Sequence, residues 1–197
     1  MRAARTDQLV KDSVRCGPIH GGWLRSARPR PSPHSDLRPR GVALDLIVLH
    51  AISLPEGHYG TGHPEALFQG TLDLNAHESF ASLKGVRVSA HLLIDRQGAL
   101  TQFVPFHRRA WHAGASSWRG RTGCNDFSLG IELEGDVQTP FTWVQYGRLA
   151  AVLRQLQSVY HIPREHLACH SAIAPKRKAD PGPYFSFDVL AEAEASL

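Results

Sequence analysis

Twelve histidines in 197 residues are many for a chain of this length, and histidine serves both as a metal ligand and as a general base. Most of the twelve are expected in loops and on surfaces, so what matters is which of them converge. His50 closes the apolar run Leu46 to Leu49. An ionisable residue at the end of a buried strand stands where sheet folds build sites. A core histidine bonded to a backbone carbonyl would occupy the same place equally well. The segment from Cys169 to Pro183 says more. Pro175, Pro181, Pro183 and Gly182 fall within nine residues, and the prolines fix the backbone there, a rigidity suited to holding ligands. Asp180 precedes Pro181 and is pushed to extended backbone. Lys178, two residues before it, then faces the same side, although a Lys beside a carboxylate is usually a solvated pair of little energetic value. His50, His170 and Asp180 would make a set of two nitrogens and one oxygen. Zinc in catalytic sites typically takes three protein ligands and keeps a further position open.

A carboxylate for proton transfer is sought in the segment Ser128 to Glu134, which reads as a strand. Leu129, Ile131 and Leu133 share one face, and Ser128, Gly130, Glu132 and Glu134 share the other. That polar face would line a cleft or look into solvent, and position does not rank Glu132 against Glu134. Other catalytic patterns are absent. His77-Glu78 lacks the second histidine of a zinc helix, and there is no G-x-S-x-G elbow, phosphate-binding loop or dinucleotide fingerprint. Cys169 and His170 are adjacent, so in extended chain they point to opposite faces and make a poor dyad. Cys16, Cys124 and Cys169 are odd in number and widely spaced, unlike a disulfide framework or a thiolate zinc ribbon.

The elements that must position these residues follow from periodicity. Asp45 to His50 reads as a strand buried on both faces. The Gly/Pro-rich stretch from Pro55 to Pro64 is loop, with a short helix beginning at Pro64. Ala90 to Ile94 and Ala99 to Val104, joined by Asp95 to Gly98, read as a hairpin. The clearest helix runs from about Trp143 to Tyr160. Thr142 and Gln145 make a capping box, and Tyr146, Leu149, Leu153, Leu156 and Tyr160 form its apolar stripe. Leu167 to Cys169 predicts a short strand and Phe187 to Ser196 a closing helix. The fold class is α/β, a central mixed β-sheet flanked by helices.

Charge divides the chain. Residues 1–40 hold nine Lys/Arg against three Asp, net +6, and residues 41–197 are net −2. The basic balance therefore belongs to an arm. Without interleaved aromatics the arm makes a poor nucleic-acid ligand, so no nucleic-acid partner is expected. Residues 1–22 read as a flexible basic extension and 23–197 as one domain. Residues 23–40 carry Pro29, Pro31, Pro33 and Pro39 and are extended. No run approaches the ~18 apolar residues of a membrane span. The first residues also lack the ~7–15-residue apolar centre of a secretory signal, so the expected compartment is the cytoplasm. The pattern carries no signal of oligomeric state.

Longer stretches resemble a known family. Pro-Ser-Pro-His at 31–34, LHAISLP at 49–55, RVSAHLLI at 87–94, RAWHAG at 109–114, CNDFSLGIELEG at 124–135 and RKADPGP at 177–183 are similar to the cytosolic zinc amidases of the AmpD type. Those enzymes lie within the type-2 amidase and peptidoglycan-recognition superfamily. The resemblance spans roughly residues 22–190. It implies a type-2 amidase-like single domain with zinc on His50, His170 and Asp180, Glu132 as the acid/base carboxylate, and Lys178 as the cation near the developing oxyanion. It also implies Arg87 and Trp111 as substrate-cleft residues. The implied substrate is a muropeptide, cut between the lactyl group of an (anhydro-)muramic sugar and L-alanine in peptidoglycan recycling. The competing expectation is a non-catalytic peptidoglycan-fragment binding module on the same fold. Ala51 and Gly123 depart from the pattern, where relatives carry Asn and Arg.

Overall fold

Strands and helices alternate as the periodicity predicts in a computed structural model, which describes residues 16–197. Six strands form one mixed sheet: β1 (Arg28–Pro29), β2 (Leu46–Ile52), β3 (Leu92–Ile94), β4 (Leu100–Gln102), β5 (Ser128–Glu134) and β6 (Leu167–Cys169). Their spatial order is β6-β2-β5-β3-β4-β1. β2 is parallel to both β6 and β5, and β5 is parallel to β3. β3 and β4 are the expected antiparallel hairpin. β1 comes from the proline-rich stretch and adds a parallel edge against β4, a place where Pro29 costs no ladder bond.

Among the described residues four α-helices accompany the sheet: α1 (His63–Gln69), α2 (Trp143–Tyr160), α3 (His170–Ile173) and α4 (Phe187–Ala195). The capping box of α2 is formed. Thr142 Oγ1 accepts from the backbone N–H of Gln145 at 3.1 Å, and Gln145 Oε1 accepts from that of Thr142 at 3.0 Å. Gln145 also donates to the carbonyl of Glu134 at 2.9 Å, so the cap ties the helix start to the end of β5.

The sheet has two unlike faces. On one, Ile47, Leu49, Leu92, Ile94, Leu129, Ile131 and Leu133 pack with Leu149, Val152, Leu153 and Leu156 of α2 and Leu190 of α4. On the other, Leu46 and Val48 pack with Ala113, Cys124, Phe127 and Ile173. This second face also carries His50, Glu132 and Glu134. Every residue of β5 is buried, so its polar face is covered, and of the two alternatives the solvent-facing one does not hold. The segment 105–127 lies over it, which the pattern of β5 alone does not reveal.

Within the expected extension, residues 16–22 are packed. Ile19–His20 pairs antiparallel with Trp23–Leu24, and Cys16 and Ile19 contact the core. Residues 1–15 lie outside the described residues. All three cysteines are free thiols. Among the described residues no helix is long and apolar enough to cross a membrane.

Candidate active site

Three neighbouring parallel strands deliver the site at their C-terminal ends, the end at which α/β sheets place ligands. β2 brings His50. β5 brings Glu132, which the register sets opposite His50 on the same face. β6 leads directly into α3, whose first residue is His170. The following loop returns to α3, where the carbonyl of Asp180 accepts from the Ser171 N–H at 2.9 Å. His50 and His170 are 1% and 3% exposed.

The three candidate donor atoms meet. His50 Nδ1 and His170 Nδ1 are 2.9 Å apart, His170 Nδ1 and Asp180 Oδ2 3.0 Å, and His50 Nδ1 and Asp180 Oδ2 3.4 Å. Ligand bonds of about 2.0–2.2 Å in a tetrahedral zinc site space the ligand atoms by roughly 3.3 Å. The donor chemistry also fits a cation. His170 Nε2 faces the Ala113 carbonyl at 3.3 Å. Arg177 Nη2 lies 3.4 Å from the same nitrogen, while the Nδ1 side of the ring faces the Asp180 carboxylate, and imidazole nitrogen with carboxylate oxygen is a donor set zinc takes. Burial pushes the His50 imidazole down to about 4, against the pull of Asp180. Burial raises the Asp180 carboxyl, but its bonds to His170 and His50 outweigh this and hold it below the carboxylate range. A neutral imidazole and an ionised carboxylate are the forms that bind metal.

Glu132 and Glu134 separate here. Glu134 is fully occupied, accepting from the Gly60 N–H at 2.5 Å and the Arg96 N–H at 3.2 Å, and so pins the loop after β2. Glu132 is 8% exposed, and its Oε2 has no hydrogen-bond partner among the described residues. Burial first, then the negative charge of Asp180, push its carboxyl well above the usual range, with Lys178 opposing. Lys178 is exposed on the loop after α3, and its charge acts on both His50 and Glu132.

A cleft continues from the strand ends, lined by Ala51, Ser53, Leu83, Gly135 and Asp136. Leu83 also borders a second groove containing His34, Val86 and the exposed Arg87. Trp111 is half-buried and stacks on His34, with centroids 6.1 Å apart and planes 17° apart. Arg87 thus lines the second groove, and Trp111 stacks on His34, another residue of its lining. Of the two departures, Ala51 lines the cleft. Gly123 has φ +70° and precedes the short 3₁₀ turn Cys124–Asp126, a conformation that glycine adopts without strain.

Three residues of the site are not picked out by the sequence reading. Arg38 donates to the carbonyls of Asn125, Asp126 and Ser128, stitching the covering loop to β5. Arg177 donates to the carbonyls of Ala113 and Ala115. His112 is buried against His50. The only signal for His112 was its place in RAWHAG, since a buried loop histidine has no periodicity to mark it.

Comparisons with known proteins identify the family and match the fold. The profile of the N-acetylmuramoyl-L-alanine amidase family matches residues 40–183. The chain is 52% identical over 166 residues to a 1,6-anhydro-N-acetylmuramyl-L-alanine amidase, AmpD, of Citrobacter freundii, covering 84% of this chain and 89% of the relative. A crystal structure of a selenomethionine AmpD derivative superposes with a TM-score of 0.87 at 49% identity, covering 89% of this chain and 98% of that one. The Escherichia coli amidase AmiD, solved in complex with anhydro-N-acetylmuramic acid-L-Ala-D-γ-Glu-L-Lys, superposes with a TM-score of 0.57 at 30% identity, covering 79% of this chain and 60% of that one.

Proposed function

The chain belongs to the N-acetylmuramoyl-L-alanine amidase family, and from that premise we propose how its own residues carry the reaction. It hydrolyses the amide between the lactyl group of (anhydro-)N-acetylmuramic acid and L-alanine in muropeptides, a step of peptidoglycan recycling. The observation that carries the mechanism is the meeting of His50, His170 and Asp180 beside an unpartnered buried carboxylate, Glu132. A purely binding module has no use for that carboxylate.

His50, His170 and Asp180 would hold zinc. Bound there, zinc supplies Lewis acidity, activating water near neutral pH and polarising the scissile carbonyl. Glu132 accepts a proton from the attacking water and passes it to the leaving amine of L-alanine. Its raised carboxyl pKa suits a group that must hold the proton between those two transfers. Lys178 places positive charge against the carbonyl oxygen as that oxygen becomes negative. Loss of such a group costs on the order of 10²–10³ in rate. Arg87 meets carboxylates of the substrate's peptide, and Trp111 offers a flat apolar face to the sugar.

The free thiols support a reducing compartment, and we place the reaction on soluble muropeptides in the cytoplasm. The first 22 residues have no part in the chemistry in this reading. The deciding experiment is chelation. Metal-free protein releases no peptide from anhydromuramyl-tripeptide, and added zinc restores release. Full turnover by thoroughly metal-free protein would overturn the mechanism.

A further inference from the structure

We propose that His112 is the positioning residue for His50, fixing the His50 ring proton on Nε2 so that Nδ1 stays free to bind a metal. The inference rests on the proposed zinc centre but concerns a residue outside its ligand set.

The direction of each hydrogen bond is decided from the far end of the chain of contacts. Ser128 Oγ lies 2.6 Å from the carbonyl oxygen of Cys124. A carbonyl can only accept, so the hydroxyl donates there and turns its lone pairs elsewhere. His112 Nε2 is 3.2 Å from that same Oγ and therefore donates to it. A neutral imidazole has one N–H, so His112 Nδ1 is bare. His50 Nε2 lies 2.9 Å from His112 Nδ1, and only a donor satisfies that nitrogen. His50 thus carries its proton on Nε2, and its Nδ1 faces His170 and Asp180 as a lone pair. One backbone carbonyl orders three side chains in series. Metal-binding imidazoles commonly have their second nitrogen held in this way.

The seat of His112 is built for it. A Cβ on Gly130 would lie 2.4 Å from His112 Cγ, so the ring occupies space that any other residue of β5 would fill. The backbone beneath the ring is held as well, since the His112 N–H donates to Asn125 Oδ1 at 3.1 Å.

The test has two arms. In the wild-type chain stripped of metal, ¹⁵N long-range NMR is expected to find His50 in the Nε2–H tautomer. Finding it in the Nδ1–H form overturns the proposal without any variant. In the second arm, zinc affinity is measured by competition with a chelator. His112→Phe, which removes the acceptor, is expected to weaken zinc binding about 10–100-fold. His112→Asn returns an acceptor oxygen near the place of Nδ1 and recovers most of the loss. Ser128→Ala weakens binding less. A folded His112→Phe protein with wild-type affinity overturns the proposal. If His112→Phe does not fold, Ser128→Ala decides, and wild-type affinity together with a wild-type tautomer in that variant counts against the relay. A wild-type chain that binds no zinc yet shows the Nε2–H tautomer would sink the metal reading and leave the relay standing.

Discussion

The two faces of β5 are both buried and bear no chemical resemblance to each other. On one, Leu129, Ile131 and Leu133 press into a layer of leucine and isoleucine against α2. On the other, each residue has its own assignment: Ser128 holds the Cys124 carbonyl, Gly130 makes room for His112, Glu134 pins Gly60, and Glu132 keeps one buried oxygen, Oε2, without a partner among the described residues. Apolar contacts are non-directional and respond to volume. Buried polar groups respond to geometry and charge, and one left unpaired is costly. The contrast locates a buried, costly polar atom on one face of the strand and the compensating apolar burial on the other.

The largest effect that sharpens the contrast is expected at Glu132. Glu132→Gln lowers kcat by about 10²–10⁴, while chelator competition finds zinc still bound. In metal-free protein the same change stabilises the fold at neutral pH. The sign follows from the raised carboxyl. Its stabilising contribution is intact below the ordinary value of 4.5 and is lost as pH climbs towards the folded-state value. The glutamine variant therefore gains on wild type in urea melts at pH 8 and not at pH 4. Parallel pH dependences for the two proteins would break the comparison.

The opposite face should behave in the opposite way. Ile131→Ala opens a cavity under α2 and costs about 2–5 kcal/mol of stability, with zinc affinity and kcat of the folded fraction unchanged. A smaller effect is expected at Glu134, on the polar face but fully bonded. Glu134→Gln weakens two bonds of its carboxylate to backbone N–H groups, worth about 1.5–3 kcal/mol where the partner is charged. It also loosens the loop that lines the cleft. Steady-state kinetics should show KM rising more than kcat falls. If kcat collapsed instead, the division of labour between the two glutamates would be wrong. The smallest effect is expected from deleting residues 1–15: kcat/KM on anhydromuramyl-tripeptide stays at the wild-type value, and any large loss would give the extension a catalytic role.

Much of this architecture was legible along the chain. The strand at 128–134, the capped helix 143–160 with its stripe and the hairpin around Asp95–Gly98 appear where spacing puts them. Local periodicity and capping chemistry act over a few residues, so they can be read without knowing the fold. The pairing of Arg28–Pro29 with β4 was not legible, because a two-residue edge strand has no period. The covering of the polar face of β5 was not legible either, because the loops that cover it come from elsewhere in the sequence.

Residue types and short motifs alone thus pointed to His50, His170 and Asp180 as a candidate donor set, to the carboxylates to choose between, and to a mixed sheet to carry them. Only the tertiary structure decided that the three donor atoms meet, that Glu132 rather than Glu134 keeps a buried oxygen unpartnered among the described residues, and that His112 stands behind His50. The reason is physical. A side chain's type is a property of the chain, but its neighbours depend on parallel register and loop closure, and these bring distant segments within 3 Å of each other only once the whole sheet has formed.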